Sequence, residues 1–101
     1  MSLLERLYDP TAGSIRFGGV DLRSLNLSLH RQNIGMVTQE PTLFSGTIQE
    51  NIAYGTSASL EDVIEASKIA NAHAFINDFP KQYKEQVGEQ GGRLSGGQRQ
   101  R

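Results

Sequence analysis

The 101-residue chain has no cysteine and no tryptophan. Without thiols it can build neither a disulfide scaffold nor a thiolate metal site. An excess of one charge is also missing, since 10 Lys and Arg stand against 11 Asp and Glu, for a net charge of −1. The charges are interspersed with no basic block, which speaks against nucleic-acid binding by this segment. No apolar run approaches the roughly 18 residues needed to cross a bilayer. The opening MSLLERLYDP carries acidic residues and lacks a small-residue cleavage site, so it does not read as a secretion signal. Any link to a membrane is therefore expected through partners or through sequence outside these residues. No nucleophile–base pair, paired carboxylates or metal-ligand cluster is visible. His30 and His73 each stand apart from such partners and read as structural, and Asp21 and Asp62 read as turn and helix-cap residues. What is present, 37% hydrophobic residues and 11 glycines, is ordinary for one modest globular domain.

Strand signals come first along the chain and helix signals follow. Leu3, Leu4 and Leu7 around Glu5 and Arg6 predict the last turns of an amphipathic helix, stopped by Asp9-Pro10 and Gly13. Ser14 to Phe17, Gly18-Gly19 and Val20 to Leu22 predict a hairpin. Asn26 would cap a short helix over Leu27 to Arg31. Asn33 to Gln39, with Ile34, Met36 and Val37, has the apolar, β-branched character of a buried strand ending at Glu40-Pro41. Thr47 with Glu50 and Ser59 with Asp62 have capping-box spacing. They predict a helix over Ile48 to Ile52 and a longer one in which Leu60, Val63, Ile64, Ser67 and Ala70 share a face. Asn71 to Phe79 should add a further turn or two. Lys81 to Arg93 reads as a polar surface connection.

The most informative string is the last, LSGGQRQR from Leu94 to Arg101. Ser95 and Gln98 have capping-box spacing, so a helix should start there. Glycine costs about 1 kcal/mol relative to alanine in a helix interior. In return, Gly96 and Gly97 leave backbone N–H groups unobstructed at the positive end of a helix dipole, open to an anion. Serine hydroxyl, glutamine amide and bare amides together form a phosphate-sized receptor, with Arg99 and Arg101 adding positive charge nearby.

That string resembles the signature motif of ATP-binding cassette (ABC) proteins. The stretch IGMVTQEPTLFSGTIQENI, Ile34 to Ile52, resembles the Q-loop region of ABC exporters. Val87-Gly88-Glu89 with Gly91 resembles the segment just upstream of the signature. The likeness covers essentially the whole chain and is nearest the multidrug and peptide exporters.

The resemblance implies an α/β fold, a partial P-loop NTPase of the ABC ATPase type, with a hairpin and strand region followed by an α-helical subdomain. Residues 1–46 would belong to the α/β core with the Q-loop, and residues 47–101 to the helical subdomain with the signature. It implies that Ser95, Gly96, Gly97 and Gln98 bind the γ-phosphate of ATP held by a second nucleotide-binding domain in a head-to-tail dimer. Gln39 would contact Mg²⁺ and the attacking water. Phe44 and Tyr54 would lie where the coupling helices of the transmembrane domain dock, and Glu89 would read the same partner. The setting implied is the cytoplasmic face of a membrane.

The phosphate-cradling G-x-x-x-x-G-K-[ST] loop does not occur in these residues, and neither does the strand carrying the Mg²⁺-binding aspartate and catalytic glutamate. The chain thus reads as the middle of a cassette, and alone it is expected to be catalytically incomplete. Two alternatives stay open. One is a non-catalytic interaction module or vestigial fragment. The other is a segment of an SMC-type DNA repair ATPase, against which the interval between Gln39 and Ser95 carries no coiled-coil heptads.

Overall fold

The computed structural model describes residues 2–88 and 94–101. Two compact units divide the chain, Met1–Met36 and Val37–Arg101.

In the first unit, β1 (Arg16–Phe17) pairs antiparallel with β2 (Val20–Asp21), Arg16 opposite Asp21 and Phe17 opposite Val20. Gly18 and Gly19 join them with φ of 56° and 83°. Two consecutive left-handed residues make the tight turn whose twist suits a hairpin, and glycine adopts them without strain. A 3₁₀ turn, Leu22–Ser24, follows, capped by the Asp21 side chain. Helix α1 (Leu27–Gln32) starts at Asn26, whose side chain accepts from the Leu29 amide.

The helix expected around Leu3 to Leu7 is a turn, yet it carries the two hydrogen bonds of a helix C-terminus. Leu7 N donates to Ser2 O at 2.8 Å and Arg6 N to Leu3 O at 3.2 Å, around Arg6 at φ 54°. The carbonyls left over are taken by α1. His30 Nε2 donates to Leu4 O at 2.7 Å, Arg31 Nε to Glu5 O at 3.0 Å and Arg31 Nη2 to Arg6 O at 3.1 Å. Buried His30 is thus a structural donor, its Nε2 carrying the proton.

The buried strand expected over Asn33 to Gln39 does not form. Its residues have no ladder partner among the described strands, and Met36 and Val37 are 49% and 65% exposed. A strand exists only by pairing, so apolar, β-branched character alone does not create one.

The second unit has a continuous core of Ile48, Val63, Ala72, Ile76, Tyr83 and Val87. β3 (Gly46–Thr47) pairs antiparallel with β4 (Gln86–Val87), and Ile48 N extends the ladder to Glu85 O at 3.0 Å. Helix α2 (Ile48–Ile52) opens at a complete Thr47–Glu50 capping box, and α3 (Leu60–Ile69) at a complete Ser59–Asp62 box. Val63 and Ser67 are buried on α3, and the Ser67 hydroxyl donates to Val63 O at 2.7 Å, which lets a polar side chain sit in the core. Leu60, expected on the same face, is 43% exposed at the first helical position. Asn71, at φ 55°, ends α3 with Ala72 N to Ser67 O at 2.7 Å and Asn71 N to Lys68 O at 3.1 Å. Helix α4 (His73–Asn77) follows directly.

Lys81 to Arg93 is not simply a surface connection. A 3₁₀ turn at Gln82–Lys84 leads into β4, and Tyr83, Glu85 and Val87 are all buried. Tyr83 turns inward from the 3₁₀ turn, and Glu85 and Val87 both point inward because the extended chain that follows has a side-chain period of two. His73 Nδ1 lies 2.6 Å from the Tyr83 hydroxyl, and Asn77 Nδ2 lies 3.0 Å from His73 Nε2. With Nε2 accepting from the amide, the ring proton sits on Nδ1 and donates to the tyrosine.

Candidate functional site

Helix α5 (Gly96–Gln100) begins where the sequence places it. Ser95 is extended, at φ −66° and ψ 161°, and forms a complete capping box with Gln98. Gln98 N donates to Ser95 Oγ at 3.1 Å, and Ser95 N donates to Gln98 Oε1 at 3.0 Å. This pairing has a chemical consequence for an anion. It consumes acceptor capacity on both side chains and leaves their donors, the Ser95 O–H and the Gln98 Nε2 group, outside the box.

Gly96 and Gly97 need no special conformation, as neither is among the residues with positive φ. Nor does packing require them. A Cβ built on either would meet nothing within 4 Å. Two glycines in a first helical turn, unexplained by backbone or neighbours, leave room for something approaching from outside.

Gln39 is exposed in the irregular segment after Val37. Together with Glu40, Thr42, Gly96, Arg99 and Gln100 it borders a polar concavity of about 480 Å³. The structure therefore brings Gln39 and Gly96 to one hollow, while Ser95, Gly97 and Gln98 lie off its wall. Arg99 Nε is buried and, among the described residues, has no hydrogen-bond partner.

Phe44 and Tyr54, both expected at the docking surface, do meet. Their rings stack with centroids 4.4 Å apart and planes 16° apart, at 55% and 66% exposure. Asn51, which the sequence reading passed over, places this pair. Its Oδ1 accepts from Phe44 N at 2.8 Å, and its Nδ2 donates to Phe44 O at 2.9 Å and Thr47 O at 3.0 Å. One amide thereby pins the 44–47 loop to α2, and its only sequence signal was a polar residue on a short helix behind that loop. Glu89 lies outside the described residues.

Electrostatics elsewhere is local. The Arg23 guanidinium, bonded to Asp21 at 2.8 Å, lowers that carboxyl to about 2. Hydrogen bonds from the Ser59 hydroxyl and amide lower Asp62. Among the described residues no group of His, Asp and Glu could hold a metal, and no helix is long and apolar enough to cross a membrane.

Comparison with known proteins shows the family and the fold. The family model described as ABC transporter matches residues 1–101. ABC transporter B family member 2 of Dictyostelium discoideum is 54% identical over 102 residues, covering 100% of this chain and 7% of that protein. ABC transporter B family member 19 of Arabidopsis thaliana is 52% identical over 102 residues, covering 100% of this chain and 8% of its own length. The solved structure of a bacterial Atm1-family ABC exporter with ATP bound superposes with a TM-score of 0.89 at 41% identity, over 97% of this chain and 17% of that one. The chain thus spans a small part of the relatives it matches, with the fold of part of an ABC exporter, and it belongs to the ABC transporter family.

Proposed function

We propose that these residues are the middle of an ATP-binding cassette whose parent couples ATP binding and hydrolysis to export of a substrate across a membrane. Residues 1–46 contribute to its α/β core and residues 47–101 form its helical subdomain. The observation that carries this reading is the first turn of α5. Its glycines serve neither conformation nor packing, and its capping box leaves donors free.

In this reading Ser95 O–H, Gln98 Nε2 and the Gly96 and Gly97 amides close on the γ-phosphate of ATP bound by a second nucleotide-binding domain. Donors of this kind stabilise a polyanion and reject a cation. ATP with Mg²⁺ supplies the phosphoryl-transfer chemistry. Gln39, which carries both an acceptor and donors on one amide, orients the attacking water and touches the metal. The stacked Phe44 and Tyr54, with Glu89, receive the coupling helices of a transmembrane domain on the cytoplasmic face. Exposed aromatic rings suit such docking because they bury large area with few rotatable bonds to freeze.

The test is Ser95→Tyr in the complete protein. Its ring would occupy the space a phosphate needs, so ATP turnover should fall to background while nucleotide binding by the separated monomer persists. Turnover at the wild-type rate would rule out the proposed role.

A further inference from the structure

The two rings proposed to receive the transmembrane domain belong to different stretches of chain. Phe44 lies in irregular chain before β3, and Tyr54 follows the C-terminal end of α2. A stack with centroids 4.4 Å apart needs both backbones held, and one residue touches both. The Asn51 side chain exchanges two hydrogen bonds with the Phe44 backbone, Phe44 N to Oδ1 at 2.8 Å and Nδ2 to Phe44 O at 2.9 Å. Nδ2 also donates to Thr47 O at 3.0 Å. The Asn51 carbonyl accepts a longer bond from Tyr54 N, at 3.4 Å. Asn51 thus holds one ring through its side chain and the other through its backbone. Its helix is itself fixed, because Ile48 is buried in the core and donates to Glu85 O at 3.0 Å.

We infer that Asn51 is the positioning residue of this docking pair, aligning Phe44 on Tyr54 before the transmembrane partner arrives. A primary amide suits the task because it offers an acceptor and two donor hydrogens in one plane. The two bonds exchanged with Phe44 copy those of a hydrogen-bonded pair in an antiparallel ladder. Aspartate would keep the acceptor, lose both donors and turn a carboxylate oxygen toward two carbonyls. Leucine is close to asparagine in shape and makes none of these bonds, yet it is the better helix former. Rings aligned in advance lose less freedom on docking, so more of their contact with the partner is realised as binding. Asn51 therefore acts on the contact between cassette and transmembrane domain rather than on the nucleotide.

The inference rests on the docking role proposed above, and the experiment separates the two. The complete protein in lipid vesicles carries two spin labels at the cytoplasmic ends of its membrane-spanning helices. Each sample gives two readings, the ATP turnover rate and, by electron paramagnetic resonance, the fraction of molecules whose label distance shifts on adding ATP. The quantity compared is the shifted fraction per unit of turnover. Asn51→Leu and Asn51→Asp should each lower it about fivefold, the scale of one net hydrogen bond. Phe44→Ala should lower it at least as far, because it removes a ring. Adding Asn51→Leu to Phe44→Ala should lower it no further, since the side chain then has no ring to place.

A merely structural role would reduce shift and turnover together and leave their ratio at the wild-type value. That result overturns the proposal, and so does a further loss in the double variant. If Phe44→Ala lowers the ratio while both Asn51 variants keep it, the positioning role is wrong and the docking reading stands. If Phe44→Ala is itself silent, the docking reading falls, and this inference with it. Should Asn51→Leu fail to fold, Asn51→Asp decides by the same ratio.

Discussion

Gly97→Ala separates what a residue does for the fold from what it does for a ligand. The added methyl meets nothing within 4 Å, and Gly97 is not at positive φ, so the substitution introduces neither clash nor strain. Alanine is the better helix former by about 1 kcal/mol in a helix interior, and in a first turn about 0.5 kcal/mol is a fair share. Because α5 buries no residue, the gain should appear locally. Amide exchange over Gln98 to Arg101 should slow about twofold, the equivalent of that energy.

Function should move the other way. With phosphate bound as proposed, a methyl beside the bare amide would hold a phosphate oxygen beyond hydrogen-bond distance. A bond to a charged group is worth about 1.5–3 kcal/mol, or roughly 10- to 150-fold in the ATP needed for half-maximal turnover of the complete protein. The ligand term exceeds the helix term, so a better-formed helix should accompany a worse ATPase. Faster exchange in α5 would show that the glycine serves the fold. Slower exchange with unchanged ATP dependence would show that nothing approaches the turn, and either result refutes the reasoning.

Gly46, at φ 148°, behaves differently, since a Cβ there would come within 2.6 Å of Glu50 Oε2. That oxygen is held by the Thr47 amide at 2.7 Å, so Gly46→Ala should cost about 1–3 kcal/mol in urea unfolding of the chain. Ile76→Ala empties one of the two largest fully buried side-chain sites and should cost about 2–5 kcal/mol in the same assay. Asp21 should titrate by carbon-detected NMR with a midpoint near 2. Because its folded value lies below the ordinary carboxylate value, its contribution to stability is complete above about pH 4 and is lost as pH falls through 2. Arg23→Gln should bring that midpoint back toward 4.

Local chemistry was legible wherever a few adjacent residues decide the outcome. The three capping boxes at Thr47, Ser59 and Ser95 formed as their spacing required, because each bond closes within one turn of chain. The Gly18-Gly19 hairpin formed for the same reason. The segment around Ile34 to Val37 misled because a strand's stability lies in a partner, and its own residues do not contain one. The inward alternation of Tyr83, Glu85 and Val87 was written in the sequence but masked by the polar residues between them.

By itself, then, the amino-acid order determined the helix starts, the tight turns, the family and the donor-rich turn at Ser95 to Gln98, all governed by short-range bonds. Only the tertiary structure decided that Phe44 stacks on Tyr54, that Asn51 holds the loop between them, and that Arg101 reaches the carbonyl of Asn71. Those contacts join residues distant along the chain or displaced from any helical period. Their geometry is set by how the core of the second unit closes, which no local pattern records.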